Sequence, residues 1–291
     1  MECIEKIPML PDRPGDGHKG LFGKVLIIAG STGMSGAAAL AGRAALRCGA
    51  GLVRIACPQG ITPIIASLEP AYTTIPLAQD DQGRISARAL DVILGQVEEN
   101  DVIALGPGLG MSNDLRQIIE TLIGIPDKPL VIDADGLNNL ARIKHWLAKK
   151  RADIVLTPHP GEMKRLWQNL FREPLPQARQ EQAHQWCALT HTTLILKGAG
   201  SVIMTPEKYY INTTGNPGMA TGGSGDVLTG IVAALRGQGL TTFETAVLGS
   251  YIHGLAGDMA ARRMGQVSLI ASDIIDALPT AFQMLNNDTP Q

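Results

Sequence analysis

Cysteine is scarce in this chain: Cys3, Cys48, Cys57 and Cys187 are scattered through 291 residues, with no Cys-x-x-Cys pair and no secretory leader ahead of them. That excludes a disulfide framework and leads us to expect reduced thiols in the cytoplasm, with Cys48 and Cys57 packing as small hydrophobes. An excess of charge of either sign is also lacking. A net charge of −2 and a pI near 6.3 leave no broad basic surface for nucleic acid or an acidic membrane. No apolar run reaches the length of a membrane span, so a soluble protein is expected. There is no internal repeat, low-complexity linker or compositional break, which makes residues 1–291 one expected domain. Residues 1–20 are proline-rich and charged and are expected to form a loose arm with one ordered loop.

Two familiar phosphate motifs are missing as well. The glycines at 30–36 read GxxGxxG and not GxGxxG, and no acidic residue ends the strand that follows. No Gly-Lys-Ser/Thr follows any of the glycine loops, so a Walker A loop is excluded.

What is present is a glycine-dense stretch at 212–235, NTTGNPGMATGGSGDVLTGIVAAL, in which Gly215, Gly218, Gly222, Gly223 and Gly225 fall within eleven residues. The backbone there can take positive φ and approach a ligand with no Cβ in the way. Residues 227–235 read as a buried helix, which puts Gly225 and Asp226 at its N-terminus, where unpaired N–H groups favour an anion. A carboxylate beside a phosphate would repel it, but a carboxylate aimed at a hydroxyl about to attack phosphorus is a phosphoryl-transfer base. Spacing alone fits Asp226 to a helix cap and to a base equally well. The crowd of glycines tips the reading toward function.

The rest of the chain alternates strands and helices. Apolar runs at 25–29, 52–56, 72–75, 101–105, 130–132, 154–156 and 193–196 read as strands. Helices are expected at 37–48, 62–68, 87–97, 114–123, 136–147, 161–170, 177–189, 227–235, 243–264 and 272–285. The strands are unbroken and not alternating in polarity, so the sheet should be mainly parallel with helices on both faces. Residues 201–204 and 209–211 read as a small antiparallel hairpin at an edge.

Ligands of such sheets bind beyond the carboxyl ends of the strands, and nearly every polar candidate lies there. Asp133 and Asp135 fit a magnesium or base pair; Asp135 also fits the N-cap of a helix starting at Gly136, while Asp133 stays open. His159, held between two prolines, fits either a polar loop residue or a ligand contact. Glu162 fits a cap, a solvated side chain, a magnesium shell or a water orienter. Lys197 follows an apolar strand, and a partly buried lysine wants an anion, so phosphate contact is favoured over a surface role. His253 reads as core packing.

The strings HKGLFGKVLIIAGS, GAAALAGRAALRCGAGLV, ALGPGLG, VIDADGLN, LTPHPGEM, LKGAGSV and NPGMATGGSGDVLTG, in this order and spacing, resemble the ADP/ATP-dependent NAD(P)H-hydrate dehydratases of the ribokinase-like superfamily. The resemblance implies a three-layer α/β/α sandwich and a carbon-oxygen lyase. Such an enzyme returns hydrated nicotinamide cofactors, NADHX and NADPHX, to NADH and NADPH with ADP or ATP as phosphoryl donor and Mg2+. It places the nucleotide at Lys197, Gly198, Ala199, Gly200, Ser201 and Gly225, and the hydrated dinucleotide at Ala37, Gly108, His159 and Asp226. Gly222, Gly223, Ser224 and Gly225 would form the anion hole. The superfamily's Asn-x-x-Glu magnesium motif stands here as His159-Pro160-Gly161-Glu162, keeping only the Glu. That departure argues against a kinase-style shell, and Glu162 would meet magnesium through water. The resemblance further implies a homotetramer acting on the S epimer, with a separate NAD(P)H-hydrate epimerase as functional partner because the chain has no room for one. Two other readings are a ribokinase-like kinase of a small alcohol, against which no N-terminal β-lid is found, and a non-catalytic dinucleotide sensor, which would not need Asp226.

Overall fold

The computed structural model describes residues 1–287. Ten strands form one sheet: β1 (Glu2–Cys3), β2 (Lys24–Ile28), β3 (Leu52–Pro58), β4 (Thr73–Leu77), β5 (Val102–Leu105), β6 (Pro129–Ile132), β7 (Asp153–Leu156), β8 (Thr193–Leu196), β9 (Val202–Met204) and β10 (Lys208–Ile211). Their order is β1-β10-β9-β8-β7-β6-β5-β2-β3-β4. All pairings are parallel except those of β9 with β8 and with β10. The helices are α1 (Ser35–Arg47), α2 (Thr62–Leu68), α3 (Leu90–Glu99), α4 (Asn113–Ile123), α5 (Ala134–Leu140), α6 (Trp146–Lys149), α7 (Pro160–Leu170), α8 (Arg179–Thr190), α9 (Ser224–Gly237), α10 (Thr242–Met264) and α11 (Ala271–Asn287).

Both faces of the sheet are covered, which explains the unbroken apolar strands. Along β2, Val25 and Ile27 face a core shared with α1, α9, α10 and α11, while Leu26 and Ile28 face a second core under α3 to α8. The same alternation runs through β5 and β6, giving three layers. The expected α/β/α sandwich with its edge hairpin is therefore what forms.

Small residues set the spacing where α9 crosses α1. Ala41 and Ala44 of α1 meet α9 there: a Cβ added at Gly230 of α9 would sit 2.1 Å from the Ala41 carbonyl oxygen and 3.0 Å from the Ala44 Cβ. Gly230→Ala should therefore cost about 1–3 kcal/mol in urea unfolding through overpacking. An exposed helix glycine would instead gain up to about 1 kcal/mol from the same change. A stabilised variant would contradict this close approach.

Three expectations change. The N-terminal arm is not loose throughout, because Glu2 and Cys3 pair in parallel with Lys208 and Tyr209 and close the edge outside the hairpin. The helix expected at 136–147 is two helices: α5 stops at Leu140, and after a short turn His145, with a left-handed φ of 56°, leads into α6, where Trp146 is fully buried and stacked against Trp186. Asp135 is not an N-cap: α5 begins one residue earlier than Asp135, with Asp133 at the cap position. Asp135 Oδ2 accepts the Gly110 N–H at 2.8 Å, tying two loops together.

Candidate active site

The loops after β2, β5, β6, β7 and β8 lie at one edge of the sheet, joined by the glycine segment that leads into α9. After β2 and β5, Ser31 donates its hydroxyl hydrogen to the Gly108 carbonyl at 2.7 Å. Gly108 has φ of 63°, and a Cβ there would sit 3.1 Å from the Ala37 Cβ, so these two predicted contact residues are side by side.

Helix α9 opens at Gly223, whose φ of 89° only glycine adopts easily. Among the described residues, no protein acceptor takes the N–H groups of Gly222, Gly223, Gly225 or Asp226. The Ser224 N–H reaches the Thr221 carbonyl at a long 3.4 Å. Gly222, Gly223 and Gly225, three of the four residues expected to hold an anion, thus present open donors at a helix N-terminus, while the Ser224 donor is turned to Thr221. The Asp226 carboxylate, in the first turn, makes no hydrogen bond within the described residues.

Beneath that mouth lies a charged cluster. Asp133 is 1% exposed; its Oδ1 accepts from Lys197 Nζ at 2.7 Å, and its Oδ2 accepts from the Thr229 hydroxyl at 2.7 Å. Lys197 Nζ also lies 3.9 Å from Glu162 Oε2. A Cβ built on Gly225 would be 3.4 Å from Lys197 Nζ and 3.6 Å from Asp133 Oδ2, so the lysine reaches the open end of α9. The anion that Lys197 calls for is supplied first by Asp133.

The charges shift one another. Burial pushes Asp133 up, but Lys197 and the hydroxyls of Thr157 and Thr229 outweigh it and hold the carboxyl below its usual range. Burial works against the Lys197 ammonium, and Asp133, Glu162 and Asp226 together raise it nonetheless. Asp226 is pushed up to about 7, first by burial and then by the negative charge of Asp133, against the pull of Lys197. Glu162 is likewise raised to about 7, chiefly by burial. A carboxylate near 7 with no hydrogen-bond partner is a competent proton acceptor at neutral pH.

His159 and Glu162 form a reciprocal capping box on α7. His159 Nδ1 accepts from the Gly161 and Glu162 N–H groups at 2.9 and 3.4 Å, and Glu162 Oε2 accepts from the His159 N–H at 2.8 Å. Of the four readings of Glu162 the cap is realised, and its burial overturns the solvated one. With Nδ1 accepting, the proton of neutral His159 sits on Nε2, 3.4 Å from Glu162 Oε1, on a half-exposed ring. Burial, then Lys197 and Arg165, lower the His159 pKa and keep it neutral.

Lys197, Gly198, Ala199, Gly200 and Ser201 form the turn between β8 and β9. Ser201 donates to the Gly198 carbonyl at 3.0 Å, and the Arg179 guanidinium donates to the Ala199 carbonyl. Nothing local in the sequence marks Arg179 or Thr229 as site residues. His253, expected to pack in the core, is only partly buried, and its Nε2 lies 3.3 Å from the Ser224 hydroxyl oxygen.

Magnesium does not fit a direct protein site here. The oxygens of Asp133 and Glu162 face Lys197, Thr229 and the capping box, and no group of three or more His, Cys, Asp or Glu side chains among the described residues is arranged to hold a metal ion.

A family model for NAD(P)H-hydrate dehydratase matches residues 25–280. The bifunctional NAD(P)H-hydrate repair enzyme Nnr of Moorella thermoacetica is 45% identical over 280 residues, covering 96% of this chain and 53% of that protein. The chain thus spans about half the length of the curated relatives it matches. Among solved structures, a ribokinase-like superfamily protein from Enterococcus faecalis superposes with a TM-score of 0.80 at 28% identity, covering 94% of this chain and 92% of that one. The ADP/ATP-dependent NAD(P)H-hydrate dehydratase of Bacillus subtilis, co-crystallised with ATP and Mg2+, superposes with a TM-score of 0.79 at 29% identity over 94% of both chains. From β2 to α11, this chain belongs to the NAD(P)H-hydrate dehydratase family.

Proposed function

We propose that the chain is an ADP- or ATP-dependent NAD(P)H-hydrate dehydratase acting on the S epimer of NADHX and NADPHX, and that residues 1–291 work as one unit. The observation that carries this is the unbonded Asp226 carboxylate, raised to about 7, beside the open N–H groups of α9. Hydroxide leaves poorly from the hydrated ring, whereas phosphate leaves well. Asp226 takes the proton of the ring hydroxyl as its oxygen attacks the terminal phosphorus of the nucleotide, and the N–H groups of Gly222, Gly223, Ser224 and Gly225 hold the charge on the transferring group. The ring nitrogen then expels phosphate with the carbon-oxygen bond, and the neighbouring ring carbon loses a proton, restoring the dihydronicotinamide. Lys197, Gly198, Ala199, Gly200, Ser201 and Gly225 seat the nucleotide, with the Lys197 ammonium near its phosphates. Ala37, Gly108 and His159 contact the hydrated dinucleotide.

When bound, magnesium would supply charge neutralisation to the nucleotide's phosphates, with Glu162 as its water-mediated neighbour, and no step above is assigned to a protein-bound metal. Further proposals rest on the family resemblance: a homotetramer in the cytoplasm, served by a separate NAD(P)H-hydrate epimerase. No helix among the described residues is long and apolar enough to cross a membrane. The alcohol-kinase reading is not favoured, since the dehydratase family model covers nearly the whole chain.

The test mixes folded protein with hydrated NADH, magnesium and either ADP or ATP while the near-ultraviolet absorbance of dihydronicotinamide is followed. A nucleotide-dependent rise is expected and identifies the donor. No rise with either nucleotide contradicts the proposal, because a kinase would leave a stable phosphoester.

A further inference from the structure

The glycine segment ahead of α9 carries open N–H groups, yet so many glycines give a loop that is costly to order. Helix α10 meets that cost by packing against the loop. Asp258 Oδ2 accepts the Gly215 N–H at 2.9 Å, and its Oδ1 accepts from the Asn216 side-chain amide at 2.9 Å. Earlier on the same helix, the Tyr251 carbonyl accepts from the Thr214 hydroxyl at 2.8 Å. The loop lies directly on the helix backbone: a Cβ on Gly254 would meet Thr214 Oγ1 at 2.2 Å, and one on Gly257 would meet Met219 Sδ at 2.2 Å. At the far end of the loop, His253 Nε2 lies 3.3 Å from the Ser224 hydroxyl oxygen. The two side-chain tethers therefore bracket the turn that holds Gly222 and Gly223.

We propose that His253 and Asp258 are positioning residues of the phosphate loop: from α10 they pin its two ends, Gly215-Asn216 and Ser224, so that the donors between them are aimed before the anion arrives. Donors of this kind act strongly only when their orientation is set in advance, and a misplacement of about 1 Å can cost about 10²-fold in rate. Burial pushes His253 down to about 4, so it pins Ser224 as a neutral ring and adds no charge of its own beside the loop. Asp258 spends both carboxylate oxygens on the loop and is not aimed at the anion. The inference rests on the reading of the loop as the phosphoryl site.

The experiment compares the full chain with His253→Ala, His253→Gln, Asp258→Ala and Asp258→Asn, measuring kcat and KM for hydrated NADH, ADP affinity by calorimetry and melting temperature. Both alanine variants are expected to lose about 10- to 100-fold in kcat and about tenfold in ADP affinity. The KM for hydrated NADH should stay within about twofold, because Ala37, Gly108 and His159, which seat the dinucleotide, lie on other segments. Gln at 253, which can place a polar nitrogen near the original one, should restore most of the loss. Asn at 258 keeps one acceptor and should fall between wild type and Ala. Alanine variants that match wild type in kcat and ADP affinity overturn the inference. So does a loss that simply tracks melting temperature, or a His253→Gln variant no better than His253→Ala. If wild type binds ADP but does not dehydrate the hydrate, the functional reading fails while the ADP arm still decides the positioning. A wild-type chain that neither binds ADP nor turns over overturns both.

Discussion

Asp226→Asn is expected to keep its fold and its ADP while turnover falls about 10²- to 10⁴-fold, the usual contribution of a positioned proton acceptor. Asparagine has nearly the same shape, so the mouth of α9 should stay open. What disappears is the carboxylate placed to take the ring hydroxyl's proton. The same carboxyl should set the acidic limb of the wild-type rate profile: activity should rise with pH through about 7, following ionisation of Asp226. A second readout carries the opposite sign. Because the folded pKa is raised above that of the unfolded chain, the native state binds extra protons between about pH 4 and 7, and the ionised group is a cost that is complete above 7. Asp226→Asn removes that cost and should melt higher than wild type at pH 8, with the difference shrinking toward pH 5. A variant with wild-type turnover removes Asp226 from the mechanism. One with equal melting at pH 8 removes its raised pKa.

Lys197→Met should produce the largest loss of stability, about 3–5 kcal/mol at pH 8, because it leaves a buried carboxylate without its cation. In the wild type, Asp133 sits below its usual range and Lys197 above its own. The pair therefore stabilises the fold across the window in which both are charged, from about pH 4 to pH 10. Without the ammonium, burial controls Asp133 and raises its pKa, so the ionised form becomes a cost that grows as pH rises. The deficit in urea unfolding should be large at pH 8 and smaller at pH 5. A pH-independent deficit would mean that methionine merely packs badly. Turnover should also fall, since the Lys197 ammonium reaches Gly225 at the open end of α9.

How much of this is legible in the sequence depends on the range of the interaction. Local patterns translate well: the VLIIA run becomes β2, shifted by one residue, and GGSGD opens α9 with Gly223 in the left-handed region. The loops at the carboxyl ends of the strands bring Ala37 beside Gly108 and Lys197 beside Gly225. What stays hidden is long-range. Asp133 and Lys197 are 64 residues apart, so a sequence reading that offers Asp133 for magnesium or as a base, leaves it open, and gives Lys197 to phosphate does not include their ion pair. Asp258 reaches Gly215 over 43 residues and His253 reaches Ser224 over 29, from a helix whose sequence reads as packing. The break between Leu140 and Trp146 escapes for another reason: periodicity continues across it, while the left-handed His145 and the burial of Trp146 appear only in the fold. Likewise, nothing in Glu2–Cys3 advertises an edge strand; the exposed edge of β10 recruits it.

If the ring hydroxyl is phosphorylated and then leaves as phosphate, its oxygen must end in that phosphate. The most direct test uses hydrated NADH whose ring hydroxyl carries oxygen-18, with the nucleotide and water unlabelled, and reads the products by mass spectrometry. Phosphorylation at the hydroxyl predicts one heavy oxygen in each inorganic phosphate released, in step with the dihydronicotinamide formed. Heavy oxygen appearing in water, with unlabelled phosphate or none, would contradict it.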